Sequence, residues 1–166
     1  MTDLERAYLA GLVDGEGSLS VVNRTNQPER WVGWLRLSVE MSDSEPIRLL
    51  SEAFGAKIST RLSVKGRPMF ACHFYCNKAA NVLRELLPYL RAKRAQAEDG
   101  ILLQSKTRDI GYGWRRKMKL TESAIAERQI IILRMKSRCK KGFHGNRPWN
   151  RLVGIDGLKV SNAQEG

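Results

Sequence analysis

The sequence contains no run of eighteen consecutive apolar residues, so it offers nothing as long as a membrane-crossing helix requires. Its start, MTDLERAYL, lacks the basic patch and apolar core of a secretion signal, which points to a soluble, intracellular protein. Cysteine is scarce and odd in number. Cys72, Cys76 and Cys139 cannot build a disulfide framework, and C-x3-C with one distant thiol lacks zinc-ligand spacing, so structural thiols are expected. Acidic residues are also short: 17 Asp and Glu face 29 Lys and Arg, a net charge of +12 that makes nucleic acid the leading partner class. Neither a membrane nor a small-molecule substrate is expected. A hydrophobic content of 42% with four Trp excludes a disordered basic tail, because enough apolar material is present to offset the entropy of ordering. At 166 residues the chain suits one domain with a proper core.

What is present alternates between two periods. Thr2 with Glu5 three residues later forms a capping-box pattern, and Leu4, Ala7, Tyr8, Gly11 and Leu12 recur at helical spacing, which predicts a first helix from Asp3 to Val13. Leu19 and Val21 then precede WLRLSVEM, where Leu35, Leu37, Val39 and Met41 alternate with Trp34, Arg36, Ser38 and Glu40: two strands with one apolar face. Ser44, Glu45 and Pro46 suit a helix start and Gly55 its stop. The rhythm repeats, with strands at Ile58–Val64 and Phe70–Cys76, a KGRP turn between them, and a helix capped by Asn77. The two halves share no detectable sequence repeat. The expected fold is α+β, in the order αββαββα: a four-stranded antiparallel sheet with helices on one face and the other face free. A basic helix follows Pro88, and a last helix spans Thr121 to about Lys136. SKTRDIGYGWRRKMK reads as a loop between them. The domain is placed at 1–137, with a basic extension at 138–166.

Strand parity makes the free face informative. If Leu35, Leu37 and Val39 meet the helices, then Ser18, Ser20, Val22, Arg24, Trp34, Arg36, Ser38, Glu40, Ser59, Arg61, Ser63, Lys65, His73 and Tyr75 point outward, a polar and largely basic set. One stretch resists a purely structural reading. LAGLVDGEG, residues 9–17, puts Asp14 and Glu16 at the end of an apolar run, where the negative end of a helix dipole disfavours them by about 0.3–1 kcal/mol each unless a positive partner is near.

That stretch resembles the signature of the LAGLIDADG homing endonucleases, with Val13 and Glu16 as conservative changes and Gly15 as the departure. The element order is similar to that of the family's single-motif members over roughly Asp3 to Lys106. The resemblance implies a homodimer whose signature helices pack at a twofold axis through Leu9, Ala10, Gly11, Val13 and Asp14, and whose saddle-shaped sheets cover a long, pseudo-palindromic double-stranded DNA site. It implies Glu16 as the metal-binding acid near its symmetry mate, with the Gly15 carbonyl as a further ligand. Asp14 then caps or buttresses the helix junction. Two such acids would repel, and a divalent cation removes the conflict; oxygen donors suit Mg²⁺, with Mn²⁺ or Ca²⁺ as substitutes, Ca²⁺ in a non-cleaving complex. The missing positive partner is then a metal ion.

The resemblance further implies a lysine beside the cut phosphate, aligned here with Lys93 in LPYLRAKRAQA, with Arg91 and Arg94 as competing neighbours. A glutamine that holds a water in many relatives aligns with Met41, a departure. For recognition, Ser20, Val22, Arg24, Asn26, Gln27, Arg30, Trp34, Arg36, Ser38, Arg61, Ser63, Lys65, His73 and Tyr75 are the expected groove-facing set, with Arg115 and Arg116 on phosphates. The implied activity is Mg²⁺-dependent, sequence-specific cleavage of double-stranded DNA. The alternatives of the same fold are an RNA-splicing maturase and a DNA-binding regulator without cleavage. An organelle, a bacterial cytoplasm or a phage genome are equally compatible sources.

Overall fold

The structure is a computed structural model that describes residues 1–22, 33–109 and 121–138. The helices are α1 (Asp3–Glu16), α2 (Ser44–Phe54), α3 (Cys76–Leu86), α4 (Arg94–Asp109) and α5 (Glu122–Ser137). The strands are β1 (Gly17–Val22), β2 (Trp34–Met41), β3 (Ile58–Leu62) and β4 (Pro68–Tyr75). The four strands form one antiparallel sheet in the order β1-β2-β4-β3.

Register fixes which side chains share a face. Leu19 lies opposite Leu37, which lies opposite Phe74, and Val39 lies opposite Cys72. This row is buried against Leu9, Ala10 and Val13 of α1, Ile47 and Leu50 of α2, Leu83 and Leu86 of α3, Leu103 of α4 and Ile132 and Met135 of α5. Phe54 meets Phe74 edge to face, with centroids 6.2 Å apart. The face expected to be apolar is therefore the one covered. Gly100 eases the close approach of α4 to β2: a Cβ there would lie 2.8 Å from Leu35 Cδ1, so the Leu35 side chain would have to shift to admit one.

Several boundaries differ from the sequence expectation. α1 runs through Glu16 and stops at Gly17, whose N–H bonds Val13 O. A Cβ at Gly17 would meet that oxygen at 2.3 Å, whereas one at Gly15 would meet nothing within 4 Å. The glycine that permits the helix exit is thus Gly17 rather than Gly15. β3 ends at Leu62, because Ser63 closes the hairpin turn: its N–H bonds Arg67 O at 2.8 Å and its Oγ accepts from Arg67 N at 3.0 Å. Ser63 and Lys65 are accordingly turn residues and not part of the outward strand row. β4 ends at Tyr75, since Cys76 takes a left-handed φ of 54° and starts α3. Asn77 is inside that helix and does not cap it; its Oδ1 accepts from Gln104 Nε2 at 3.2 Å. No helix among the described residues is long and apolar enough to cross a membrane.

Candidate nuclease site and DNA-facing sheet

The end of α1 and the start of α4 meet through one carboxylate. Asp14 Oδ2 accepts from Arg91 N at 2.7 Å and Ala92 N at 3.1 Å, and Oδ1 accepts from Lys93 N at 2.8 Å. Three successive backbone donors converge on one anion, the arrangement that makes such a turn an anion cradle. This explains why the helical sequence after Pro88 begins its helix only at Arg94: residues 91–93 are wound around Asp14. The Lys93 ammonium turns back and donates to Asp14 O, a part-buried carbonyl at the negative end of α1. The conflict posed by acids at that helix end is relieved in part within the chain, by Lys93 and the three N–H groups, so a metal ion is not its only positive partner.

Glu16 follows two residues later and is exposed, as is Gly15. Lys93 is thus the member of the basic trio that reaches the end of α1. Arg94 instead pairs with Glu98 at 3.3 Å. Among the described residues no group of three His, Cys, Asp or Glu gathers in a metal-binding cluster. One protomer therefore supplies a single exposed carboxylate and a neighbouring carbonyl. That donor set fits Mg²⁺, which keeps several waters and takes one or two carboxylates together with substrate phosphates.

On the uncovered face, register places Ser20 and Val22 on β1, Trp34, Arg36, Ser38 and Glu40 on β2, His73 and Tyr75 on β4, and Arg61 on β3. Ser38 and His73 lie directly opposite and share a hydrogen bond, Oγ to Nδ1, of 2.7 Å. Burial holds the His73 pKa below its ordinary value, helped by the Arg36 charge and opposed by Glu40. Glu40, absent from the expected recognition set although its parity was legible, pairs with Arg61 at 2.5 Å. Met41 has the opposite parity. It lies across from Phe70 and packs against the core, so it cannot hold a water at the site, and its apolar character says nothing about chemistry. Arg24, Asn26, Gln27, Arg30, Arg115 and Arg116 lie outside the described residues.

The expected contact residues of α1 divide. Leu9, Ala10 and Val13 are buried in the protomer's own core and cannot face a second copy, because α1 turns them toward the sheet and α3. The outward stripe of α1 is Leu4, 82% exposed, Tyr8, 50% exposed, and Gly11. A Cβ added at Gly11 or Gly15 meets nothing within 4 Å, so the protomer's own packing does not require glycine at either position. Sequence reasoning also missed Arg128. It is buried on α5 and donates to Gly33 O at 2.9 Å and Leu103 O at 3.4 Å, and burial pushes its pKa down to about 10. The signal was present in the helical period of α5: Arg128, one of three basic residues there, lies four before Ile132 and seven before Met135, on the buried stripe.

The architecture is the LAGLIDADG homing endonuclease fold, an α+β unit with an open four-stranded antiparallel sheet. The chain is similar to I-CvuI in complex with its target in the presence of calcium: 23% identity, a TM-score of 0.61, and coverage of 82% of this chain and 83% of that one. It is similar also to an archaeal intron-encoded homing endonuclease complexed with DNA, at 16% identity and a TM-score of 0.66, covering 92% and 94% of the two chains. For I-LtrWI bound to target DNA the identity is 18% and the TM-score 0.64, with 98% of this chain matching 52% of that one. No protein-family model matches the sequence, and no curated protein matches it.

Proposed function

We propose that the chain is a sequence-specific, double-strand DNA endonuclease that works as a homodimer with Mg²⁺. The observation that carries this reading is the Asp14–Lys93 junction, which brings the exposed Glu16 carboxylate and the Lys93 ammonium to one end of a sheet whose open face is basic and polar. The named relatives with this fold are DNA complexes, and I-LtrWI is about twice as long as the part this chain matches. One copy of the present chain supplies half of such a unit, which supports a pair.

Each protomer would contribute Glu16 and the Gly15 carbonyl as oxygen ligands. Mg²⁺, when bound, supplies positive charge for the attacking water and the departing 3′ oxygen. The chain's own part is positional: Lys93, held by Asp14, places a fixed cation where negative charge grows on the pentavalent phosphate. The outward strand residues read base edges in the major groove, where a two-stranded ribbon fits.

The test is cleavage of a randomised duplex library by the full chain with Mg²⁺, in parallel with Glu16→Gln. The expected result is a selected subset cut on both strands, with cutting lost and binding kept in the variant and under chelation. Binding without any cutting by the unaltered chain would leave a regulator instead.

A further inference from the structure

Glu40 and Arg61 do not sit on neighbouring strands. β4 lies between them: Glu40 is opposite Ala71, and Arg61 is opposite Met69. Their ion pair, Arg61 Nε to Glu40 Oε1 at 2.5 Å, therefore crosses β4 diagonally on the open face, past the smallest side chain of that row, Ala71. Arg61 is largely exposed while Glu40 is half-buried, and an ion pair with one partner in water contributes little to stability, so fold maintenance is a poor reason for a bridge this long.

The geometry of the pair is more telling. The close approach is at Nε, and no hydrogen bond among the described residues engages the terminal Nη1 and Nη2, which form the outer fork of the guanidinium; Glu40 Oε1 is itself buried and has this ion pair but no hydrogen bond. That fork matches guanine O6 and N7. A carboxylate on a face turned to DNA is repelled by phosphates, but in the major groove it finds the cytosine N4 amino group as a donor. An acid that is already neutralised by Arg61 keeps its second oxygen for such a contact at reduced electrostatic cost.

We infer that Glu40 and Arg61 act as one base-reading unit for a G·C pair, in which Arg61 addresses guanine O6 and N7 while Glu40 fixes the guanidinium and accepts from the amino group of cytosine in the same or adjoining pair. This rests on the reading of the open sheet face as a DNA surface. Glu40 has a specificity role, and none in the chemistry.

The experiment is affinity selection of a randomised duplex library with the full chain, followed by sequencing, for the unaltered protein, Glu40→Gln, Arg61→Gln and the double variant. Thermal unfolding of each variant should stay close to that of the unaltered protein, since Arg61 is largely exposed and glutamine keeps the half-buried Glu40 site filled. The expected result is one position of strong G·C enrichment that falls by about 5- to 150-fold in either single variant, the range a bidentate base contact supplies. Enrichment elsewhere should hold, and the double variant should lose little more than either single one, as coupled residues do. The inference is overturned if the two variants change different positions, if neither changes the profile, or if Arg61→Gln weakens every sequence alike with a shallower salt dependence, the mark of a phosphate contact. An unaltered chain that enriches no sequence would overturn the DNA reading itself and this inference with it.

Discussion

Asp14 shows how much one side chain can organise. Its carboxylate satisfies three backbone donors ahead of α4, and the carbonyl beside it receives the Lys93 ammonium. Asp14→Ala should destabilise the protein by about 2 kcal/mol, the scale of hydrogen bonds to a charged group, as measured by urea unfolding. Under the proposed function it should also lower cleavage, because the turn that presents Lys93 loses its anchor. His73 makes a different prediction. Its pKa is held below the ordinary 6.5 by burial and by Arg36. The unfolded chain therefore takes up the proton first as pH falls, so the His73 contribution to stability is intact above 6.5 and declines below it, toward the lower folded value. Denaturation at stepped pH should show this slope between neutrality and mild acid, and His73→Gln should flatten it.

At the scale of elements, α5 is the part the sequence described least well. Its start was legible at Thr121, whose Oγ1 accepts from Ala124 N at 3.2 Å, and Ile125, Ile132 and Met135 share one side of it by spacing, with Ile132 and Met135 buried. Its attachment was not. Arg128 ties α5 to the Gly33 carbonyl at the entry of β2 and to α4, and Asp99 of α4 holds Arg134 at 2.9 Å. Arg128→Ala leaves two buried carbonyls without that donor, which should cost about 2–4 kcal/mol. Hydrogen exchange should locate the loss in α5 and the start of β2 before the rest of the sheet. A uniform loss across all strands would mean that α5 is integral to global stability and not a docked element.

For the whole molecule, the decisive surface is the outward stripe of α1. Leu4 and Tyr8 lie open to solvent, and Gly11 faces space that nothing among the described residues fills. Gly11→Leu should therefore leave the protomer folded, even slightly stabilised, since glycine costs a helix interior about 1 kcal/mol. It should nevertheless abolish self-association and cutting together, because the backbone of a second copy could no longer approach. Sedimentation at micromolar concentration beside a cleavage assay checks this; a dimer that persists with Leu at position 11 would move the interface elsewhere.

The sequence by itself determined the sheet, its covered face and the outward direction of the strand residues from Ser20 to Arg61 that the structure describes, though not the turn that takes Ser63 and Lys65. Those follow from local periodicity, which a chain cannot disguise when one face must be buried. It marked Asp14 and Glu16 as unusual and, through the resemblance, assigned their positive partner to a metal ion and aligned Lys93 with the site. Only the tertiary structure decided that Asp14 is consumed by the turn before α4, that Glu40 reaches across the sheet to Arg61, and that Leu9, Ala10 and Val13 face inward and Leu4 and Tyr8 outward. Each of these depends on which face of an element meets another far along the chain, and spacing along one element carries no record of that meeting.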